Sequence, residues 1–511
     1  MSPGLRPCLV LLTFIAAMAA EASPAPANLP KSLTPPEVAT PRINGPSRIG
    51  VRPGSPVLYT IPATGDRPVA FSAEGLPAGL ILDPATGRIS GTLAAAGEHA
   101  VVLHARNAQG EASRTVRFVA GDRIALTPPL GWSSWNCFGK GIDQDKILRQ
   151  AKALVAQGLD RHGFTYINMD DGWQGKRTGQ DKALQGNEQF PDMGGLVREI
   201  HSLGLKAGIY STPWTTSYAG FPGGSSDAAD GSWTKSKKSF GSTSFAKADA
   251  AQWAAWGFDF IKYDWNPVLV PQVAEMSTAL RTSGRDIVFS LSNSGLPDLA
   301  PEYAKLSELW RTTGDIVDEW ADAKPDWGHS VSEIGFSQDA WAVHAGPGHW
   351  NDPDMMVVGQ MGLLEKQRAS HLTADELYTH VSLWAIMAAP LILGCDLEHL
   401  DAFTRGLITN DEVLAIDQDE LGRQGVRIAT NGAIDIYAKP LADGATALGF
   451  FNRGDTERSH ALTRLKELRL GDRLTARDVW RQQDLPVLDK KTVLTIPAHG
   501  VLLLRVKAVQ P

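Results

Sequence analysis

The chain carries two short segments whose residue types and spacing suit acid–base chemistry. Lys262-Tyr263-Asp264 closes the apolar run Gly257-Phe258-Asp259-Phe260-Ile261, and Arg311-Thr312-Thr313-Gly314-Asp315 follows Leu309-Trp310. Each reads as the C-terminal end of a buried strand that finishes on a carboxylate, with a cation a few residues before it. Two carboxylates facing one substrate are the minimum for cleaving a glycosidic bond. Side chains alternate along a strand, so Lys262 and Asp264 share a face. A neighbouring ammonium favours the ionised carboxylate and lowers its pKa, which suits Asp264 as a nucleophile. A general acid needs a raised pKa, and a second carboxylate across the mouth would supply it to Asp315. Arg311 would hold a sugar hydroxyl or a carboxylate. Structural roles compete with these: a plain Lys262–Asp264 ion pair, and Asp315 as the cap of a helix starting near Asp318.

Asp170 and Asp171 end another apolar run, Phe164-Thr165-Tyr166-Ile167-Asn168-Met169, and precede Gly172-Trp173. No suitably spaced His or Glu accompanies them, so hydrogen bonds to sugar hydroxyls fit better than a metal. Trp135, Trp173 and Trp265 flank the acids, either as faces for a sugar ring or as plain core. His344 and His349 show no zinc spacing and read as structural.

These acids need a scaffold that brings strand ends together. From about residue 124 the chain alternates strands and helices. Strand candidates occur at Pro129–Trp132, Phe164–Asp170, Leu205–Tyr210, Gly257–Asp264, Asp286–Ser292, Leu309–Arg311, His349–Asp352 and Pro390–Gly394, with helices near Gly195–Leu203, Ala248–Trp256 and 267–283. Eight strands over roughly 290 residues have the rhythm of a (β/α)8 TIM barrel, whose sites lie at the C-terminal strand ends. Trp135, Asp170, Asp171, Tyr210, Asp264, Ser292, Asp315 and Asp354 all fall there.

Residues 38–121 alternate short apolar runs with Gly and Pro turns, as in a small Ig-like β-sandwich. The stretch from Gly75-Leu76-Pro77-Ala78-Gly79-Leu80 to Ile89-Ser90-Gly91-Thr92 resembles the immunoglobulin-like modules of bacterial surface proteins and enzymes. Such a module is a spacer or a binder of sugar or cell wall. Residues 421–511 return to short strands and read as a C-terminal antiparallel β-sandwich, leaving 122–420 for the catalytic barrel.

Composition bounds the partners. The 511 residues carry a mild net charge of −7 and no basic block, which argues against nucleic acid. Residues 1–22 combine Arg6, an apolar stretch from Leu9 to Ala17 and small-residue cleavage sites, the pattern of a secretory signal. A Pro/Ala/Ser-rich linker is expected over 23–37. No segment reads as a membrane span, and the protein is expected to be exported to periplasm or medium. Beyond Cys8 in the signal only Cys137 and Cys395 remain, read as buried thiols rather than a disulfide scaffold.

Seven motifs occur in a family's order across about 124–425. They are Gly131-Trp132-Ser133-Ser134-Trp135-Asn136, Met169-Asp170-Asp171-Gly172-Trp173, Lys206-Ala207-Gly208-Ile209-Tyr210, Ala219-Gly220-Phe221-Pro222-Gly223, Lys262-Tyr263-Asp264, Trp310-Arg311 to Asp315-Ile316, and Trp350-Asn351-Asp352-Pro353-Asp354-Met355. The chain resembles glycoside hydrolase family 27, the melibiases. The resemblance implies a retaining α-galactosidase mechanism without metal or organic cofactor. Asp264 falls on the family nucleophile and Asp315 on its acid/base. Trp135, Asp170, Asp171, Tyr210, Lys262, Arg311 and Asp354 match sugar-binding positions. Retention requires the two carboxyl groups to lie roughly 5–6 Å apart.

The chain departs from the family pattern in three places. Gly172 and Asn266 stand where animal enzymes have cysteines. A polar, Gly/Ser-rich insertion at about 224–245 is expected over the active face, where it would set preference for the leaving group. Ser292 stands where α-galactosidases of vertebrates and plants carry Glu against the sugar 2-hydroxyl, and Gly295 follows where enzymes for N-acetylgalactosamine carry Ala. The two together leave room for bulk at the 2-position, unless Asn293 refills it. The leading expectation is thus an exo-acting α-galactosidase taking α-galactoside oligosaccharides or polysaccharides. An α-N-acetylgalactosaminidase, a β-L-arabinopyranosidase or a dextran-acting relative are the alternatives within the class. A catalytically inactive carbohydrate-binding surface protein is the alternative outside it.

Overall fold

The computed structural model describes residues 30–235, 238–363, 366–463 and 471–509. The expected signal peptide and the first part of the expected linker lie outside the described residues.

The centre is a (β/α)8 barrel. Its strands are Leu130–Ser133, Tyr166–Asn168, Lys206–Ser211, Phe260–Asp264, Val288–Ser292, Leu309–Arg311, Trp350–Asp352 and Leu391–Leu393, and they are called first to eighth below. All neighbours pair in parallel, in the spatial order seven down to one and then eight. Closure falls between Met356 and Leu393: Met356 N–H donates to Ile392 O at 2.8 Å and Gly394 N–H to Met356 O at 3.0 Å. The strands are nearly all buried on both faces, as a sheet covered by helices outside and packed side chains inside demands.

Local sequence fixes where helices start and stop. Asp143 caps Gln144–Ala156 by accepting from Lys146 N–H at 2.6 Å. Thr373 and Glu376 form a reciprocal capping box on Ala374–Ile386. Gly257 ends Ala246–Trp256 with φ of 96°, a left-handed turn that lets the chain enter the fourth strand at once. The expected helix after Asp315 is absent. Ile316 instead bridges to His329, and the next helix, Val331–Gly335, is capped by Ser330. Asp315 is therefore free of a capping role.

The N-terminal module is a sandwich of a four-stranded and a three-stranded sheet around Val101, Leu103, Val116, Phe118 and Ile89. Its Gly79 and Gly91 are explained by contact: a Cβ on Gly91 would come within 1.9 Å of Gly79 O, so the two strands approach this closely only without side chains. The C-terminal unit is a six-stranded antiparallel sheet packed with a two-stranded one. Its strands Arg458–Ala461, Arg473–Asp478, Gln483–Asp489 and Val493–Ile496 were not foreseen from the sequence. Three of them are half-exposed and charge-bearing, and the fourth, Val493–Ile496, is only four residues long, so the apolar signal is weak.

The N-terminal module sits on the barrel floor, the face opposite the C-terminal strand ends. Arg52 enters that floor. Its backbone N–H and Nη1 donate to the Asp286 carboxylate at 2.8 and 3.1 Å, and its Nη2 to Glu308 at 3.2 Å. Glu308 in turn accepts from Phe289 N–H at 2.8 Å, tying the contact to the fifth strand. The stretch before the module lies against the barrel too: Leu33 N–H donates to Tyr378 Oη at 2.8 Å and Thr34 Oγ1 to Gly406 O at 2.6 Å.

Cys137 and Cys395 are both buried free thiols. His349 is structural, with Nδ1 at 2.8 Å from His344 O and its ring stacked on Trp310. Among the described residues no helix is long and apolar enough to cross a membrane.

Candidate active site

The C-terminal strand ends gather two linked groups of charged side chains. The first joins strands two, three and four. Asp170, just past the second strand, accepts from Lys262 Nζ at 2.9 Å and lies 3.4 Å from Ser133 Oγ. Tyr210 on the third strand donates its hydroxyl to Asp264 Oδ2 at 3.1 Å, and Lys262 Nζ lies 5.6 Å from the Tyr210 ring centre. The other oxygen, Asp264 Oδ1, is buried and has no protein partner. A buried carboxylate oxygen without a donor costs free energy unless something else uses it.

The second group joins strands five, six and seven. Arg311 forms an ion pair with Asp354 at 2.7 Å and another with Asp315 at 3.2 Å, and it lies 3.5 Å from Ser292 Oγ. Asp354 Oδ2 also accepts from Ile316 N–H at 2.8 Å, which holds the chain beyond Asp315 against the seventh strand. Asp315 is the open member: its side chain is 38% exposed, against 3% for Arg311 and 4% for Asp354. Strand register places the Cα of Ser292 beside that of Asp264, so the two groups meet between strands four and five.

Charge follows from this packing. Burial pushes the Asp264 carboxyl up to about 7; Lys262 and Arg311 oppose the rise, while Asp315 and Asp170 add to it. Lys262 does lower the Asp264 pKa, as expected, but it does not leave the carboxyl below its ordinary value. The ammonium makes its direct contact with Asp170, and desolvation of Asp264 outweighs its field. Burial works against the charges of Lys262 and Arg311, yet the ring of carboxylates holds both well above their ordinary values. Burial likewise lifts Asp171 to about 6 against hydrogen bonds from Ala219 N–H, at 2.8 Å, and the Ser217 hydroxyl.

The remaining candidates divide. Trp135 is half-buried at the head of the short helix Trp135–Phe138 after the first strand. Trp173 and Trp265 are fully buried: Trp173 Nε1 donates to Tyr210 O at 2.8 Å and Trp265 packs on Tyr263. They are core beneath the mouth and offer no face to a sugar. Asp171 accepts one bond on each oxygen, from Gln174 Nε2 at 2.9 Å and from Ala219 N–H, and it shapes the loop after the third strand. Gly295 makes no room beside Ser292. A Cβ there would meet Arg311 O at 2.8 Å and the rings of Tyr303 and Trp341, so its bareness serves backbone packing.

Two contributors, Asp352 and Tyr218, were missed in the sequence, and Asn293 was named there only as a filler beside Ser292. Asp352, lifted by burial to about 6 against the field of Arg311, ends the seventh strand and lines a cavity with Lys262, Arg311 and Asp354. Tyr218 and Asn293 lie near each other and within the electrostatic reach of Asp264 and Asp315, on excursions with no periodicity to reveal them. The insertion itself is anchored by Ser225–Ser226 pairing with Thr243–Ser244. Among the described residues no group of three or more His, Cys, Asp or Glu is arranged to hold a metal.

A parallel barrel that presents paired carboxylates and cations at its C-terminal strand ends has the equipment of a TIM-barrel glycoside hydrolase. Comparison with known proteins agrees. Residues 127–419 match the melibiase family described as Alpha galactosidase A, residues 431–506 its C-terminal β-sandwich domain, and residues 40–120 an Ig domain family. Alpha-galactosidase 2 of Arabidopsis thaliana is 36% identical over 392 residues, covering 75% of this chain and 90% of that protein. Alpha-galactosidase A of Cellvibrio japonicus is 35% identical over 409 residues, covering 75% and 93%. A solved Bacteroides fragilis structure superposes with a TM-score of 0.82 at 32% identity, over 93% of this chain and 99% of that one. The chain belongs to the α-galactosidase (melibiase) family, glycoside hydrolase family 27.

Proposed function

We propose that the protein is an exported, retaining exo-α-galactosidase that removes terminal α-linked galactose from oligo- or polysaccharides. The observation that carries this reading is Asp264: one oxygen is fixed by Tyr210 and the other is buried without a partner. Oδ1 attacks the anomeric carbon while the Asp315 carboxyl gives its proton to the departing glycosidic oxygen. The bond from carbon to leaving oxygen breaks as the ester to Asp264 forms. Asp315, now ionised, takes a proton from water, whose oxygen displaces Asp264 and releases galactose with its configuration kept. Lys262, Asp170, Arg311 and Asp354 hold the ring hydroxyls, and Trp135 borders the ring. Export rests on the signal-like residues 1–22.

Hydrolysis of nitrophenyl α-galactoside, with the α anomer appearing first by NMR, tests the reading. A β anomer as first product, or an Asp264→Asn variant that keeps most of the activity, refutes it.

Ser292 favours one second reading. It is a small side chain at the register position beside Asp264, which leaves the sugar 2-position less crowded than a Glu would. An α-N-acetylgalactosaminidase would exploit that. Side-by-side kcat/KM for nitrophenyl α-galactoside and its 2-acetamido analogue separates the two, with the plain galactoside expected to be preferred.

A further inference from the structure

The large aromatic side chains exposed among the described residues are Trp233, Phe240 and Trp327. All three lie on excursions from the catalytic mouth: Trp233 and Phe240 after the third strand, Trp327 after the sixth. Isolated exposed aromatics are ordinary, but confinement to one rim marks a contact surface.

Trp233 is a fixed ring. Its Nε1 donates to Thr216 Oγ1 at 3.2 Å, and Ser226 Oγ donates to the neighbouring Ser232 O at 2.8 Å. The indole therefore has its donor engaged, is 38% exposed, and offers solvent only apolar ring surface. The strip holding it leads inward to the acids. Ser217 and Ala219 bond Asp171, and Tyr218 lies between the Trp214 ring, 5.2 Å away, and Lys238 Nζ, 4.2 Å from its centre. The Tyr218 phenol lies within the electrostatic reach of both Asp264 and Asp315, with Asn293 beside it.

We infer that this excursion is the subsite for the saccharide on the leaving side of the scissile bond, with Trp233 stacking on the apolar face of a neutral pyranose ring. The assignment rests on the α-galactosidase reading above. The galactosyl side is enclosed by buried Asp170, Tyr210 and Arg311, whereas Asp315 is half-exposed. The leaving group must depart past Asp315, and the excursion borders that side through Tyr218 and Asn293. Thr216 touches the indole, and the ammonium of Lys238 lies over the neighbouring Tyr218 ring, polar surroundings that suit a sugar with one apolar face better than an acyl chain.

The test compares kcat/KM for galactosyl-mannotriose with that for methyl α-galactoside, in wild type, Trp233→Ala, Trp233→Phe and Trp327→Ala. In Trp233→Ala the ratio of the two constants should fall about tenfold, the loss of one aromatic contact. Trp233→Phe should restore most of it. Because the ratio is internal, partial misfolding does not move it. An unchanged ratio in Trp233→Ala overturns the assignment, as does a fall confined to Trp327→Ala. If the wild type cleaves neither substrate, the α-galactosidase reading itself is overturned.

Discussion

Asp264 must be ionised to attack, yet it is buried where ionisation is costly. Its carboxyl, pushed up to about 7 by burial, lies above the ordinary value near 3.9 of an unfolded chain. The folded state therefore binds a proton more tightly than the unfolded one, and stability falls as pH rises through that window. Asp264→Asn removes the buried charge. Turnover should drop by about 10⁴-fold or more. Thermal melting of the variant at pH 8 should exceed that of wild type, with the gap closing as pH falls toward 4; equal or lower melting at pH 8 refutes the strained-carboxylate account. In wild type, kcat/KM should decline below about pH 7 as Asp264 takes up a proton. The sequence shows both acids because each ends an apolar run. It does not show which neighbour a cation selects: alternation puts Lys262 and Asp264 on one face, but only packing gives the ammonium to Asp170. The same limit explains Gly295, whose missing side chain reads as space and is filled by Arg311 O.

Between elements, His162 shows how separate segments are held. It is 1% exposed, at 2.7 Å from Asp411 and 3.5 Å from Glu37, so it joins the short turn after the first barrel helix, the helix Asp411–Asp417 and the stretch before the N-terminal module. Burial disfavours its charge, but the two carboxylates outweigh burial and lift it to about 9. A raised histidine contributes stability that is complete below its unfolded value of about 6.5 and is lost as pH rises through about 9. His162→Gln should be less stable than wild type by about 2 kcal/mol at pH 6, discounted for the half-exposed Glu37, and should approach it near pH 9.5. Denaturant melts at the two pH values check this; a pH-independent difference refutes it. The eight barrel strands were legible because continuous apolar runs end in polar residues. The four missed C-terminal strands were not, since they are short and bury only one face, through single residues such as Leu474, Leu488 and Ile496, with polar residues between in most of them.

At the scale of the molecule, the N-terminal module closes the end of the barrel away from the acids. Nothing in composition announces this, because Arg52 lies 234 residues before Asp286 and 256 before Glu308. Arg52→Ala should lower stability by about 2–3 kcal/mol, because it leaves the two carboxylates partly buried and unpaired. Activity at low temperature should persist, since the contact is on the far face from the acids. A melting temperature like wild type's refutes a structural role for the contact. The module's place in the chain also has a kinetic consequence. An exported chain crosses its channel from the N-terminus, so this sandwich, whose strand pairs all lie within residues 42–120, reaches the far side before Asp286 and Glu308. The barrel is then expected to close against a surface that already presents Arg52.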